Sequence, residues 1–313
     1  MSPNNHPILY VGLDVAKLTL ALHLAEQTYP LANTPKGHAQ LLKFLRPYPN
    51  AHLVCEATGG YEQPLVRALQ AAGIPVSVIE AGRVRYFARA QGQRAKTDPI
   101  DAAVLTRYGQ TFRPAATPPA SPQQQRLADI CQRRRQLIGQ RTAETNRAEH
   151  YTDPLCVRQS RQLLKTFEKQ IQQCDQASLA LVAEDTVLAA KAKRLEAIPG
   201  VGPVVGATML AEMPELGQLT PATAAALAGV APYCRDSGQL QGSRRIGGGR
   251  RTVRCALYMA ALSAVRHDRI LKLCYQRLRA NGKKPLVALT AIMRKLIILM
   301  NRLLKNPNFH LAN

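Results

Sequence analysis

The chain has 313 residues, enough for two domains or for one domain with a long helical insert, and its 46% hydrophobic content excludes a disordered tail. It carries 42 Lys+Arg against 20 Asp+Glu, a formal charge of +22. That surplus points to a polyanionic partner, nucleic acid first, with an anionic membrane surface or a ribosomal partner as the plainer alternatives.

In chain order, residues 8–14 (ILYVGLD) read as a buried strand and residues 18–24 (LTLALHL) alternate with period two, as a half-exposed antiparallel partner would. A third short strand is expected near Leu31, a helix over 37–45, a strand over 52–56, a helix over 63–72 and a strand over 76–79. Three strands followed by alternating helices and strands predict an α/β domain with a mixed sheet. The run PAATPPASP at 114–122 marks a boundary. Beyond it the chain is polar and helix-rich to about Leu195. There Val157, Ser160, Leu164, Phe167, Ile171, Cys174, Ser178 and Leu181 alternate at spacings of three and four. This heptad-like, coiled-coil-like seam suits pairing with another helix or another subunit, and a plain internal amphipathic helix explains it equally. From Ala197 onward the chain is expected to be mainly helical with glycine-rich interruptions. Between Pro232 and Asn313 there are 17 Lys+Arg opposed by only Asp236 and Asp268, so the basic surplus is concentrated there. The domain boundaries expected on this reading are 6–115, 123–195 and 196–313.

Seven cysteines, none in a C-x-x-C pair, argue against a disulfide framework or a zinc ribbon and fit a reducing cytosol. The first seven residues lack the layout of a signal peptide, and the best apolar run, 296–300, is too short to cross a bilayer, so a cytoplasmic protein without a membrane partner is expected.

Four carboxylates stand at positions suited to phosphodiester chemistry. Asp14 ends the first strand, Glu56 ends the strand through Leu53 and Val54, and Asp98 and Asp101 lie three apart at the start of a helix, hence on one face. Carboxylates converging from strand ends and a helix start can bind two Mg²⁺ or Mn²⁺ ions, which clamp the attacking and leaving oxygens. Each also has a structural explanation. Asp98 before Pro99 makes a good helix N-cap, Asp101 favours the helix dipole, Asp14 can close a turn and Glu56 can pair with an arginine. Further on, the Pro-Gly-Val-Gly turn holding Gly200 and Gly202 has the look of a helix-hairpin-helix, whose backbone N–H groups hold DNA phosphate; a glycine turn between packed helices is the alternative. Ser237 lies in a loop followed by a glycine- and arginine-rich stretch. Arg235, Arg244, Arg245, Arg250, Arg251 and Arg254 are candidates for binding phosphate around it. By itself a Ser-Gly pair in a loop is most often a turn.

The segments GLDVAK (12–17), CEATGGY (55–61) and KTDPID (96–101) resemble the DEDD motifs of IS110-type insertion-sequence transposases, a family that includes pilin-gene invertases. The segment from Ala231 to Ala261, with IGGGR and RCALYMAA, resembles that family's second domain. The resemblance implies an RNase H-like (RuvC-like) N-terminal domain with Asp14, Glu56, Asp98 and Asp101 as Mg²⁺ (or Mn²⁺) ligands. It places a nucleophilic serine on Ser237 rather than on nearby Ser243. It further implies a DNA transposase or recombinase acting on donor and target DNA through a covalent phosphoserine link, a noncoding bridge RNA as guide, and dimers that pair into tetramers. Three rival readings stay open: a hydrolytic junction nuclease using the carboxylates alone, a site-specific DNA invertase working without RNA, and a non-catalytic nucleic-acid-binding protein.

Overall fold

The computed structural model describes residues 7–95, 97–234, 236–237, 242, 244–309 and 311. The chain divides into two compact units, one up to Pro119 and one from Ala120.

In the first unit, β1 (Leu9–Val15), β2 (Thr19–Leu24) and β3 (Gln27–Ala32) form an antiparallel meander. After them come α1 (Pro35–Leu45), β4 (Ala51–Glu56), α2 (Gln63–Ala71), β5 (Val76–Ile79), α3 (Ala81–Ala90) and α4 (Asp98–Phe112). The strands make one mixed sheet in the order β3-β2-β1-β4-β5, with β4 parallel to both β1 and β5. Each βα crossover carries the chain to the next parallel strand, as parallel pairing requires. Val11, Leu13, Leu53 and Cys55 pack with Leu41, Leu65 and Leu69 of α1 and α2 on one face. Tyr10 and Val54 pack with Val84, Val104, Leu105 and Tyr108 of α3 and α4 on the other. Alternate residues of β1 and β4 thus feed two cores, which is why these strands are apolar nearly throughout.

The helix α4 is seated unusually close to β1. A Cβ on Gly12 would lie 1.9 Å from the Ala102 carbonyl oxygen. The Gly12 N–H donates to Thr106 Oγ1 at 2.8 Å, and the same hydroxyl meets His23 Nδ1 at 2.9 Å.

The second unit begins with α5 (Pro122–Ala148), α6 (Pro154–Glu184), α7 (Thr186–Glu196), α8 (Pro203–Glu212) and α9 (Pro221–Leu227). A two-stranded ribbon of β6 (Pro232–Tyr233) and β7 (Arg245–Ile246) precedes α10 (Arg251–His267), α11 (Arg269–Ala280) and α12 (Pro285–Lys305). The heptad-like seam of α6 packs internally: its partner is α5, lying antiparallel in the same chain, with Arg134 paired to Asp175 and Arg141 to Glu168 across the hairpin. None of the eight seam residues is exposed. The helical segment does not stand apart from the C-terminal helices, because Leu127, Cys131 and Val182 share one core with Leu195, Met209, Leu257, Ile292 and Leu296. No helix among the described residues is long and apolar enough to cross a membrane.

Two stability measurements test this packing. Gly12→Ala must push α4 off the sheet and should lower unfolding stability by about 3 kcal/mol in urea, whereas an unchanged midpoint would mean the helix is not seated on β1. In the seam, the Ser160 hydroxyl is buried without a hydrogen-bond partner among the described residues, so Ser160→Ala should raise stability by about 1 kcal/mol, and a loss would mean the hydroxyl is paired.

Candidate active site

The parallel register of β1 and β4 runs to Leu13 opposite Cys55, so one further step along both strands sets Asp14 beside Glu56. By the alternation of the pleat both fall on the sheet face that carries Tyr10 and Val54, the face covered by α4. The helix runs back along β1. Gly109 near its end lies against Tyr10 and Val54, and Ala102 near its start lies against Gly12. Its first turn, with Asp98 and Asp101, therefore comes to the end of the sheet where Asp14 and Glu56 stand. Asp14, Glu56 and Asp101 are half-buried, each with an interaction partner, and Asp98 is exposed. Among the described residues no three His, Cys, Asp or Glu side chains are gathered into a group that could hold a metal ion. What the fold supplies is a sheet end carrying Asp14 and Glu56, toward which the first turn of α4 runs, with hard oxygen donors of the type that Mg²⁺ and Mn²⁺ take.

The capping explanation of Asp98 is corrected by the helix start. Thr97 occupies the N-cap position with extended backbone (φ −147°, ψ 153°), and Asp98 is the first helical residue. Thr97 makes no side-chain capping bond, and Asp98 stands with Asp101 in the first turn, where the helix dipole favours both carboxylates.

Two organising residues of this region escaped the sequence reading. Glu62, only 4% exposed, accepts hydrogen bonds from the Thr58 N–H at 3.0 Å, the Gly60 N–H at 2.9 Å and the Thr58 hydroxyl at 3.4 Å. It folds the turn after Glu56 around a buried carboxylate. Asn33 donates from Nδ2 to the Ala16 carbonyl at 2.9 Å and to the Tyr61 carbonyl at 3.1 Å, tying the segment after Asp14 to the segment after Glu56. His38 meets Asn33 Oδ1 through Nε2 at 2.8 Å, and burial lowers the pKa of its ring. The signal for Glu62 lay directly after the motif, an acid two residues beyond the Gly-Gly pair; Asn33 left none.

In the second unit Ser237 is exposed, in the connection between β6 and β7. Asp236 Oδ1 accepts from the Gly242 N–H at 3.0 Å and so pinches the loop on which the serine sits. Arg235 and Ser243 lie outside the described residues. The basic residues separate into two kinds. Arg250 pairs with Glu215 at 2.7 Å and donates to the Glu212 carbonyl at 2.6 Å, and Arg254 donates to the Gly248 carbonyl at 2.8 Å. These two hold the glycine-rich loop onto the helices. Arg244, Arg245 and Arg251 are exposed, with no ion pair among the described residues. Gly200, at φ +91°, faces α10, where a Cβ would come within 2.5 Å of the Ala264 nitrogen. Its glycine is required by packing, while Gly202 is exposed at the N-cap of α8.

Removing the Glu62 carboxylate leaves the Thr58 and Gly60 donors unpaired. Glu62→Ala should cost about 2 kcal/mol of stability and Glu62→Gln less, read as the order of their unfolding midpoints in urea. Equal midpoints of all three proteins would show that the turn needs no such support.

Residues 11–155 match a family described as a transposase, the DEDD domain of IS110 elements. Residues 192–276 match a family described as Transposase IS116/IS110/IS902. Two curated relatives, both named pilin gene-inverting protein, are 28% identical in Moraxella lacunata and 29% identical in Moraxella bovis, each covering 92% of this chain and 93% of the relative. The carboxylate motifs fall within the first match and Ser237 within the second, and the chain belongs to the IS110 family of transposases and recombinases.

Proposed function

We propose that the chain cuts and rejoins DNA through a covalent phosphoserine intermediate, with Ser237 as nucleophile and Asp14, Glu56, Asp98 and Asp101 as the metal-binding carboxylates of a RuvC-like domain. The observation that carries this reading is the shared register of Asp14 and Glu56 at the sheet end that the first turn of α4 approaches. An antiparallel meander followed by parallel strands supports the RuvC-like assignment. Mg²⁺ or Mn²⁺ bound by these carboxylates would supply Lewis acidity and offset charge in the phosphoryl transition state.

In the proposed step the Ser237 hydroxyl loses its proton and its oxygen attacks phosphorus. The bond from phosphorus to one strand oxygen breaks, and that oxygen leaves as a hydroxyl once protonated. A hydroxyl from a new strand end later attacks the same phosphorus and releases the serine, so the number of phosphodiester bonds is conserved. Exposed Arg244, Arg245 and Arg251 hold phosphate oxygens in this scheme, while Arg250 and Arg254 brace the loop. The α7–turn–α8 segment acts as a helix-hairpin-helix, offering the Gly202 end of α8 to the DNA backbone. Contacts of this kind read no sequence, which suits delegation of site choice to a base-pairing bridge RNA. The working assembly is a homodimer pairing into a tetramer in the cytoplasm. A second reading is site-specific inversion between fixed repeats without RNA; the name of the two curated relatives, pilin gene-inverting protein, supports its inversion part alone.

Covalent trapping tests the mechanism. Cells carrying the gene with its flanking DNA are lysed in denaturing detergent, and DNA that remains attached to the purified protein is sequenced. Wild type should yield an adduct that Ser237→Ala and Asp14→Ala each reduce by roughly 100-fold or more. An adduct that survives Ser237→Ala would reassign the nucleophile, and nicking without any adduct would favour a hydrolytic nuclease.

A further inference from the structure

Beside the Ser237 loop the second unit carries a groove of about 870 Å³. Its floor is made by one face of α10, with Cys255, Tyr258 and Met259, and one face of α12, with Leu286 and Val287. Pro232 and Ile246 wall it, and these residues belong to β6 and β7, the two strands between which Ser237 is strung. Met259 is 60% exposed, Leu286 63% and Val287 54%. Apolar side chains at helical spacing on an exposed face are the reverse of what a solvated helix presents, so the groove is built to be covered. Its rim decides what covers it. Arg244, Arg245, Arg254 and Arg294 line it, and no lining residue is acidic. A second copy of this chain, at +22 and with the same arginines, would meet like charge. An apolar floor under an arginine rim instead matches the two halves of an unstacked nucleotide, whose base faces are apolar and whose backbone is anionic.

We propose that this groove receives one or more unstacked nucleotides of single-stranded DNA next to the phosphodiester presented to Ser237. This rests on the reading of the chain as a DNA recombinase and adds a binding subsite to it. Unstacking a base at the point of cleavage frees the strand end from its duplex partner, so the groove would hold that end while the covalent link persists and keep it from re-pairing. Arg244, Arg245 and Arg294 would supply sequence-independent backbone contacts, and the floor would accept any base, since every base has an apolar face.

The test uses the full-length protein and oligonucleotides bearing 2-aminopurine, as single strands, as gapped duplexes with the reporter in the gap, and as intact duplexes. The reporter should respond on binding in the single-stranded and gapped forms and stay silent in the intact duplex. Met259→Glu and Val287→Asp, both at exposed positions that the core does not use, should weaken single-strand binding about tenfold and change intact-duplex affinity less than twofold. Thiol footprinting gives a second readout. Cys255 lines the groove and is exposed, and single-stranded DNA should protect it from alkylation. Cys55 and Cys131 serve as silent controls, since burial pushes their thiols up to about 12 and about 11. Unaltered single-strand affinity in both variants, or an unprotected Cys255 at saturating DNA, would overturn the proposal. Tighter protection by an RNA of the same sequence would overturn its assignment to DNA. Ser237→Ala separates the two hypotheses: it should keep the reporter response and lose the covalent adduct. A wild-type adduct with no groove effect removes this inference alone, whereas absence of any DNA binding removes the reading on which it rests.

Discussion

The first unit depends on how closely α4 lies on β1. Gly12 has no side chain, the Ala102 carbonyl fills the space a Cβ would take, and the Thr106 hydroxyl accepts from the Gly12 N–H. This approach aligns the helix with the strand and delivers its first turn to the sheet end. Without it Asp98 and Asp101 would hang from a helix with no defined relation to Asp14 and Glu56. A single missing side chain thus couples packing to chemistry, and a core too dense to absorb one extra carbon turns that coupling into a rigid constraint.

Around that constraint the unit adds polar struts. Glu62 gathers the donors of the turn after Glu56, and Asn33, backed by His38, ties the segments that continue from Asp14 and Glu56. These are hydrogen bonds of ordinary length, part-buried or exposed, whose weight comes from the segments they join. The second unit is organised differently. One apolar core runs from the α5–α6 hairpin through α12, and the basic residues are distributed over its surface according to their task. Arg250 and Arg254 are spent on backbone carbonyls and Glu215, which hold the glycine-rich loop; Arg244, Arg245 and Arg251 stay exposed. Charge count alone treats these five arginines as equivalent, and the fold does not.

The unit boundaries obey the same logic. The helical stretch after the proline-rich break reads as a separate segment because its composition is polar. Its inner face nevertheless joins the core of the helices that come later, through Leu127, Cys131 and Val182. The family matches divide the chain differently, the first running from residue 11 through α5 to residue 155 and the second covering residues 192–276.

The sequence by itself determined the local elements and the chemistry on offer. Period-two alternation and apolar runs located β1, β2, β4 and β5, and the motif residues named Asp14, Glu56, Asp98, Asp101 and Ser237 as a set, the last of them through family resemblance alone. These features are local, so neighbouring residues suffice to reveal them. The tertiary structure decided what depends on partners distant in the chain. It set α6 against α5 within the chain, with Arg134 paired to Asp175 and Arg141 to Glu168 beside the seam. It packed Gly200 closely against α10, and it put Thr97 rather than Asp98 at the N-cap of α4. It also made Glu62, one residue past the CEATGGY motif, the buried centre of a turn. In each case residue type is written in the chain, but burial and partner arise only when segments tens of residues apart are brought into contact.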